Sequence, residues 1–155
     1  MKTALCSDVL KALEGKTLVT AESLTGGGIG AAITAVSGAS AVYKGGVISY
    51  VNEVKHGALG VPMETLEKFG AVSEPTARAM AVGVRELLKA DVAVSVTGLA
   101  GPGGDEYGNP VGTVFIGYAD AHTATVRPCL FCGNREEIRE QTIETALKLI
   151  LEQQA

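Results

Sequence analysis

Apolar residues follow two alternating patterns along the chain. Short runs rich in β-branched residues alternate with longer segments whose apolar residues recur at helical spacing, as in proteins where helices cover a sheet. The predicted strands lie at 17–21, 45–50, 92–96, 111–118 and 123–131. The predicted helices, cap residues included, lie at 3–14, 29–36, 52–58, 62–69, 73–89 and 134–151. Ser73 is a good N-cap, and Asn134 with Glu137 forms a capping-box-like start to the last helix.

The order of these elements predicts the class of fold. Strands separated by helices favour parallel pairing, whereas the short turn near Asp120 favours one antiparallel pair. The run at 92–96 is apolar or β-branched almost throughout, which suits a strand buried on both faces. We therefore predict an α/β protein, a three-layer α/β/α sandwich with a mixed sheet of about five strands. Residues 1–155 are expected to form a single domain without internal repeats.

Composition narrows the function classes. The chain has 155 residues, of which 46% are hydrophobic and 19% charged, so it can bury a core and disorder is not expected. A net charge of −4 gives no sign of a surface for nucleic acid or anionic membrane. No signal-peptide h-region and no membrane-spanning run is visible. We expect a cytoplasmic protein with a small-molecule partner, and a homo-oligomer is possible.

The three cysteines are an odd number, which argues against a disulfide framework. Cys129 and Cys132 form a lone C-x-x-C, but a zinc site needs about four ligands. His56 and His122 show no paired spacing that would complete such a site. We expect ordinary thiols, no metal site and no organic cofactor.

A hydroxyl-bearing segment, AESLTGG at 21–27, follows the first predicted strand and precedes a glycine-rich helix start. Ser23 there could attack a carbonyl group, while N–H groups around Thr25, Gly26 and Gly27 stabilise the oxyanion. Alternatively, Ser23 or Thr25 merely caps the helix. The segment alone leaves both interpretations open.

A lysine and a tyrosine stand together after the second predicted strand. Tyr50 ends that strand, and Lys55 follows within about one and a half helical turns. A lysine acts as a general base only where burial or a neighbouring cation suppresses its charge. Because no histidine is placed for catalysis, Lys55 is the candidate base for Ser23. The alternatives are a solvated helix lysine and an edge-of-core tyrosine.

A second strand-end hydroxyl, Thr97, precedes the glycine- and proline-rich loop 98–110. In open α/β sheets, ligands bind beyond the carboxyl ends of the strands. Ser23 and Thr97 both lie at such an end and both come shortly before glycines, and this coincidence is more informative than either hydroxyl alone. The loop by itself is equally compatible with a long surface turn.

Five motifs carry a family resemblance. In chain order they read TAESLTGG, GGVISYVNEVK, GAVSEPTA, SVTGLAGPGG and PVGTVFIG. Together they closely resemble the C-terminal domain of the competence/damage-inducible protein CinA and its stand-alone form, nicotinamide-nucleotide amidohydrolase. The similarity runs over residues 5–149, essentially the whole chain. The extra N-terminal domain of full-length CinA is lacking, so the chain looks like the stand-alone form or an excised domain.

The resemblance implies a three-layer α/β/α fold and hydrolysis of nicotinamide mononucleotide to nicotinate mononucleotide and ammonia. It also implies a serine nucleophile, a lysine base and a supporting tyrosine, roles that fall on Ser23, Lys55 and Tyr50. Thr97 is carried over as a substrate-binding residue. Neither a metal nor an organic cofactor is implied.

The substrate's 5′-phosphate needs a binding group. Arg135 and Arg139 are four residues apart on the last predicted helix and therefore share one face. A guanidinium suits a phosphate because its forked donors match two oxygens. Equally, both arginines could be surface residues paired with Glu136 or Glu140.

Two other function classes remain open. Residues 26–31, GGGIGA, match the dinucleotide-binding pattern G-x-G-x-x-A. That match is weak, because four residues separate it from the strand and no acidic residue ends the next predicted strand at Tyr50. The other alternative is a non-catalytic module that binds the mononucleotide without releasing ammonia.

Overall fold

The computed structural model describes residues 2–155, which contain five strands and six α-helices. The strands are β1 (Leu18–Glu22), β2 (Tyr43–Ile48), β3 (Val92–Gly98), β4 (Thr113–Ala119) and β5 (Ala124–Leu130). The helices are α1 (Lys2–Ala12), α2 (Gly28–Thr34), α3 (Asn52–Gly57), α4 (Met63–Phe69), α5 (Glu74–Leu88) and α6 (Arg135–Gln154). A short 3₁₀ turn, Ala39–Ala41, precedes β2. In the described residues, no helix has the length and apolar character needed to cross a bilayer.

All five strands join one mixed sheet in the order β2-β1-β3-β4-β5. β1 pairs in parallel with β2 and β3, and β4 runs antiparallel to both β3 and β5. The predicted α/β class and mixed five-stranded sheet are confirmed. The expectation of one antiparallel pair is wrong, since there are two. The connection from β3 to β4 contains no helix, so the chain returns beside β3 in the opposite direction.

The strand β2 ends two residues before the predicted 45–50 does, at Ile48. Its neighbour β1 ends at Glu22, and the amide of Ser49 donates to the carbonyl of Glu22 (2.8 Å). Beyond this bond β2 has no strand to pair with. Tyr50 therefore lies in the short link to α3 rather than in the sheet.

Two hydrophobic cores lie on opposite faces of the sheet. On one face α1, α2 and α6 pack over β1, β3 and β4, with Leu18, Val94 and Ile116 facing them. On the other face α4 and α5 cover Val19 and Ala93. Neighbouring strand residues thus serve opposite cores, as the two-residue period of a strand requires.

The predicted starts of the two long helices are confirmed. Ser73 caps α5 by accepting a hydrogen bond from the amide of Thr76 (3.3 Å). Asn134 accepts from the amide of Glu137, whose side chain accepts from the amide of Asn134, both at 2.9 Å. These capping bonds fix where α5 and α6 begin relative to the sheet edge.

A glycine on α5 sets how closely that helix approaches the link after α3. A Cβ added to Gly83 would overlap the carbonyl oxygen of Leu59. We predict that Gly83→Ala lowers the free energy of unfolding by roughly 1–3 kcal/mol, although alanine favours helices intrinsically. Gly57→Ala is the matched helical control, because a Cβ there meets nothing within 4 Å. Urea unfolding of both variants tests this, and equal stability of the two would contradict it.

Candidate active site

Three hydroxyl residues stand in a row at the carboxyl ends of the parallel strands. The register pairs Glu22 with Val96 on one side and with Ile48 on the other. The residues that follow, Ser23, Thr97 and Ser49, are therefore neighbours across the sheet edge. The amide of Ser23 donates to the carbonyl of Val96 (3.1 Å), which extends the ladder by one bond. Ser23 and Thr97, the two strand-end hydroxyls noted in the sequence, thus lie beside each other.

Glu22 and Ser23 face opposite sides of the sheet. The Glu22 carboxylate is buried and accepts hydrogen bonds from the amides of Ile29 (2.8 Å) and Gly30 (3.0 Å). It thus neutralises the partial positive charge at the start of α2. Ser23, one residue later, contacts Lys55 on the other side, and its side chain is buried. This alternation separates an anchoring carboxylate from the hydroxyl at the site.

Lys55 is carried by α3 and its side chain is only 1% exposed. Its amine donates to Ser23 Oγ (3.1 Å), to the Ser49 carbonyl (2.8 Å) and to the Tyr50 carbonyl (3.2 Å). No carboxylate makes an ion pair with it among residues 2–155. The interpretation of Lys55 as a solvated helix residue is therefore wrong.

Burial without a counter-charge lowers the pKa of Lys55 from 10.5 to about 8. Near neutral pH, part of the Lys55 population then carries an unprotonated amine, which can accept a proton. The Ser49 and Tyr50 carbonyls can only accept, so a neutral amine gives its two N–H groups to them. Its lone pair then faces Ser23 Oγ, the third partner, which can donate a proton. This arrangement suits a general base that activates a serine.

Ser23 and Lys55 open onto a cavity of about 270 Å³. Thr97, Tyr50 and Arg135 are the other predicted site residues on its wall. The remaining wall is formed by short apolar side chains and glycines: Leu24, Ala71, Val72, Gly98, Leu99, Ala100, Gly101 and Gly103. The Thr97 hydroxyl donates to the Ala71 carbonyl (2.8 Å), which joins β3 to the link between α4 and α5. Five of the nine predicted residues thus meet around one cavity.

The Tyr50 hydroxyl does not contact Lys55. Tyr50 is 56% exposed, and its hydroxyl accepts a hydrogen bond from Arg135 (3.0 Å). Arg135 also donates to the Gly101 carbonyl (2.6 Å). The guanidinium therefore bridges the link before α3 and the loop after β3 at the mouth of the cavity. Only the backbone carbonyl of Tyr50 reaches the Lys55 amine.

Thr25, Gly26, Gly27 and Arg139 are not on the wall of this cavity. The Thr25 hydroxyl donates to Glu22 Oε1 (2.6 Å), and the Gly26 amide donates to the Ser23 carbonyl (3.1 Å). Arg139 donates to the carbonyls of Leu24 (3.0 Å) and Thr25 (3.1 Å). A separate cleft of about 670 Å³ between α2 and α6 is lined by both Arg135 and Arg139.

Sequence reasoning missed Glu22 and Ser49. Glu22 could have been noticed as a carboxylate at a strand end just before a helix start, where anions are stabilised. Ser49 is fully buried, and its Oγ has no hydrogen-bond partner in the described part of the chain. No local pattern marks it, because its position beside Ser23 follows from the register of β1 and β2.

The cysteines and histidines contribute nothing to this cavity. Cys6, Cys129 and Cys132 are free thiols, of which Cys132 is exposed. No group of three or more His, Cys, Asp and Glu residues within 2–155 is arranged to hold a metal ion. The wall of the cavity offers hydroxyl, amine and guanidinium groups instead.

Comparison with known proteins places this chain in a family. The family model of the CinA C-terminal domain matches residues 2–154. The chain belongs to the CinA C-terminal domain family. Relatives include the CinA-like proteins of Prochlorococcus marinus, 45% identical over 94% of this chain, and of Synechocystis, 50% identical over 78%. This CinA-type chain spans 34% and 29% of the lengths of those two relatives, about a third.

Solved structures of the CinA superfamily share the fold over nearly the whole chain. A Klebsiella pneumoniae protein has a TM-score of 0.97 at 35% identity, covering 99% of this chain and 98% of that one. The competence/damage inducible protein of Agrobacterium tumefaciens has a TM-score of 0.94 at 38% identity, covering 97% and 94%. The CinA fold of this chain is thereby established.

The lowered pKa of Lys55 has a measurable consequence for stability. An unfolded lysine stays protonated up to about 10.5, whereas the folded one loses its proton near 8. Between these values the unfolded chain binds more protons, so this contribution makes the fold more stable as pH rises. We predict that the unfolding free energy of wild type relative to Lys55→Met increases by roughly 3 kcal/mol from pH 7 to pH 10.5.

Urea unfolding of both proteins at the two pH values checks this prediction. Lys148→Met, which removes an exposed lysine from α6, is the matched control and should not show the trend. If the unfolding free energies of wild type and Lys55→Met differ by the same amount at both pH values, burial does not suppress the charge of Lys55.

Proposed function

We propose that this chain hydrolyses the carboxamide of nicotinamide mononucleotide to nicotinate mononucleotide and ammonia. The observation that carries the proposal is the buried Lys55 amine, 3.1 Å from Ser23 Oγ at the wall of a cavity. A serine beside an amine of lowered pKa is a nucleophile beside its base. The resemblance of the sequence motifs to nicotinamide-nucleotide amidohydrolase, the stand-alone form of the CinA C-terminal domain, supplies the choice of substrate.

The reaction proceeds in two stages through an acyl-enzyme. Neutral Lys55 takes the proton of Ser23 Oγ as the oxygen attacks the carboxamide carbon. The tetrahedral intermediate collapses, the C–N bond breaks, and the Lys55 ammonium gives its proton to the leaving ammonia. Lys55 is then neutral again and takes a proton from water, which attacks the ester. Ser23 leaves with that proton, and the carboxylic acid formed gives its own proton to the solvent to become the carboxylate.

The oxyanion of each tetrahedral intermediate needs hydrogen-bond donors. The Gly26 amide is engaged with the Ser23 carbonyl. Within residues 2–155, the amides of Leu24 and Thr25 donate to no acceptor. Leu24 lies on the cavity wall directly after Ser23, which suits its amide for this role. These two free amides are our candidates for the oxyanion site.

The substrate phosphate is best placed at Arg135. This guanidinium is at the mouth of the cavity, whereas a neighbouring cavity of about 350 Å³ that shares Ala71, Val72 and Leu99 is lined by Asp105 and Glu106. Two carboxylates repel a phosphate, so the electrostatics favour the Arg135 side. Binding energy from this remote group would help to hold the amide for attack by Ser23.

The dinucleotide-binding alternative needs free amides at the start of α2. The amides of Ile29 and Gly30 already donate to the Glu22 carboxylate, at 2.8 Å and 3.0 Å. A pyrophosphate there would have to displace a buried carboxylate. The amidase proposal requires no such change. A non-catalytic module would bind the mononucleotide without releasing ammonia, so an ammonia-release assay distinguishes it from an amidase.

Replacing Ser23 by alanine should abolish ammonia release. Loss of a serine nucleophile lowers kcat by roughly three to six orders of magnitude, and the fold should persist because Ser23 holds the sheet edge through its backbone amide. Ser40→Ala removes an exposed serine and is the matched control, with wild-type turnover expected. Ammonia release from nicotinamide mononucleotide, with circular dichroism of each protein, checks this. Near wild-type turnover in Ser23→Ala would exclude Ser23 as the nucleophile.

Replacing Arg135 by alanine should impair the mononucleotide selectively. Losing charge-assisted bonds to phosphate should lower its kcat/KM by roughly ten- to a hundredfold. Nicotinamide riboside lacks the phosphate, so it should be a poor substrate for wild type and little affected by the substitution. Arg78→Ala, whose guanidinium pairs with Glu74 on α5, is the control. Steady-state kinetics on both substrates decide, and equal impairment would show that Arg135 does not bind the phosphate.

A further inference from the structure

The loop between Ser23 and α2 is held by an arginine more than a hundred residues away in sequence. Arg139 of α6 is partly buried and donates through Nε to the Leu24 carbonyl and through Nη2 to the Thr25 carbonyl, at 3.0 Å and 3.1 Å. The forked guanidinium thus binds two successive peptide carbonyls. A lysine offers a single point donor and would not reproduce this pair of bonds.

Peptide geometry converts these bonds into a constraint on N–H groups. A trans peptide is planar, and its C=O and N–H point in opposite directions. Holding the Leu24 carbonyl against Arg139 therefore directs the Thr25 N–H away from α6. The Gly26 amide holds the Ser23 carbonyl and in the same way fixes the Leu24 N–H. Neither of these two amides donates to an acceptor within the described residues.

Glu22 holds the other side of the same loop. Its carboxylate accepts from the Thr25 hydroxyl (2.6 Å) and from the first amides of α2. The Thr25 side chain and the Leu24 and Thr25 carbonyls are thereby fixed by groups of opposite charge. Of these two anchors, Arg139 is the one that binds the peptide units next to Ser23.

We propose that Arg139 is a positioning residue, which holds the amides of Leu24 and Thr25 in place to stabilise the oxyanion formed at Ser23. This inference rests on acyl transfer at Ser23, as in the proposed function. It assigns Arg139 a different role from the phosphate binding predicted from the sequence, since two of its three nitrogens are already engaged with the loop. The two roles give different kinetics.

The test compares Arg139→Ala and Arg139→Lys with wild type on nicotinamide mononucleotide and nicotinamide riboside. Misplaced oxyanion donors should lower kcat by roughly tenfold to a thousandfold with little change in KM, equally for both substrates. Arg139→Lys keeps the charge but not the fork, so it should not restore activity. Arg78→Ala should match wild type, and the melting temperature of each variant shows that it is folded.

A loss confined to the mononucleotide would overturn the inference in favour of phosphate binding. Wild-type kcat in Arg139→Ala, or full rescue by lysine, would overturn it as well. If a variant does not fold, the other one carries the comparison. If neither folds, Arg139 holds the fold itself and the inference is overturned.

A generic acylating ester separates this inference from the choice of substrate. The burst of p-nitrophenolate from p-nitrophenyl acetate reports acylation of Ser23, with Ser23→Ala as the blank. Suppose that wild type does not hydrolyse the mononucleotide but is acylated by the ester, and that Arg139→Ala slows this burst at least tenfold. The proposed substrate is then wrong and the inference stands. A burst as fast in Arg139→Ala as in wild type overturns the inference alone. No acylation of wild type by either reagent overturns both.

Discussion

The amine of Lys55 lies almost fully buried at the carboxyl ends of the strands, and no carboxylate of residues 2–155 pairs with it, so water no longer stabilises its charge. Its remaining partners are two carbonyls and the hydroxyl of Ser23. Burial sets the protonation state of the amine, and those partners set the direction of its lone pair. The chemistry proposed for the site follows from this burial, because an exposed lysine would keep its proton and could not activate a serine at neutral pH.

The fold supplies what the buried amine requires. Parallel pairing of β1 with β2 brings Ser49 beside Ser23, and Lys55 of α3 reaches both of them from the helix that follows β2. The alternating faces of β1 send Glu22 to the start of α2 and Ser23 toward Lys55. The loop between Ser23 and α2 is held by two groups of opposite charge, because Glu22 and Arg139 both form hydrogen bonds with it. The nucleophile, its base and the free amides thus depend on a few strand-end contacts.

Local patterns predicted the elements, and the strand-end rule singled out Ser23 and Thr97 as site candidates, because ligands bind beyond the carboxyl ends of parallel strands. The second antiparallel pair escaped prediction, since no pattern in the loop 98–110 sets the direction of return. Burial of Lys55 is likewise a tertiary property that its own helix does not encode. For the same reason the partners of Arg135 and Arg139 could not be inferred, as their contacts span 34 to 115 residues.

The protonation of Lys55 can be observed directly. Nuclear magnetic resonance of protein labelled with ¹⁵N at the lysine side chains, assigned by the signal missing in Lys55→Met, gives the titration of this amine alone. The account predicts a midpoint near the value of about 8 that burial imposes. A midpoint at or above 10.5, the usual value for lysine, would contradict the assignment of Lys55 as the base for Ser23.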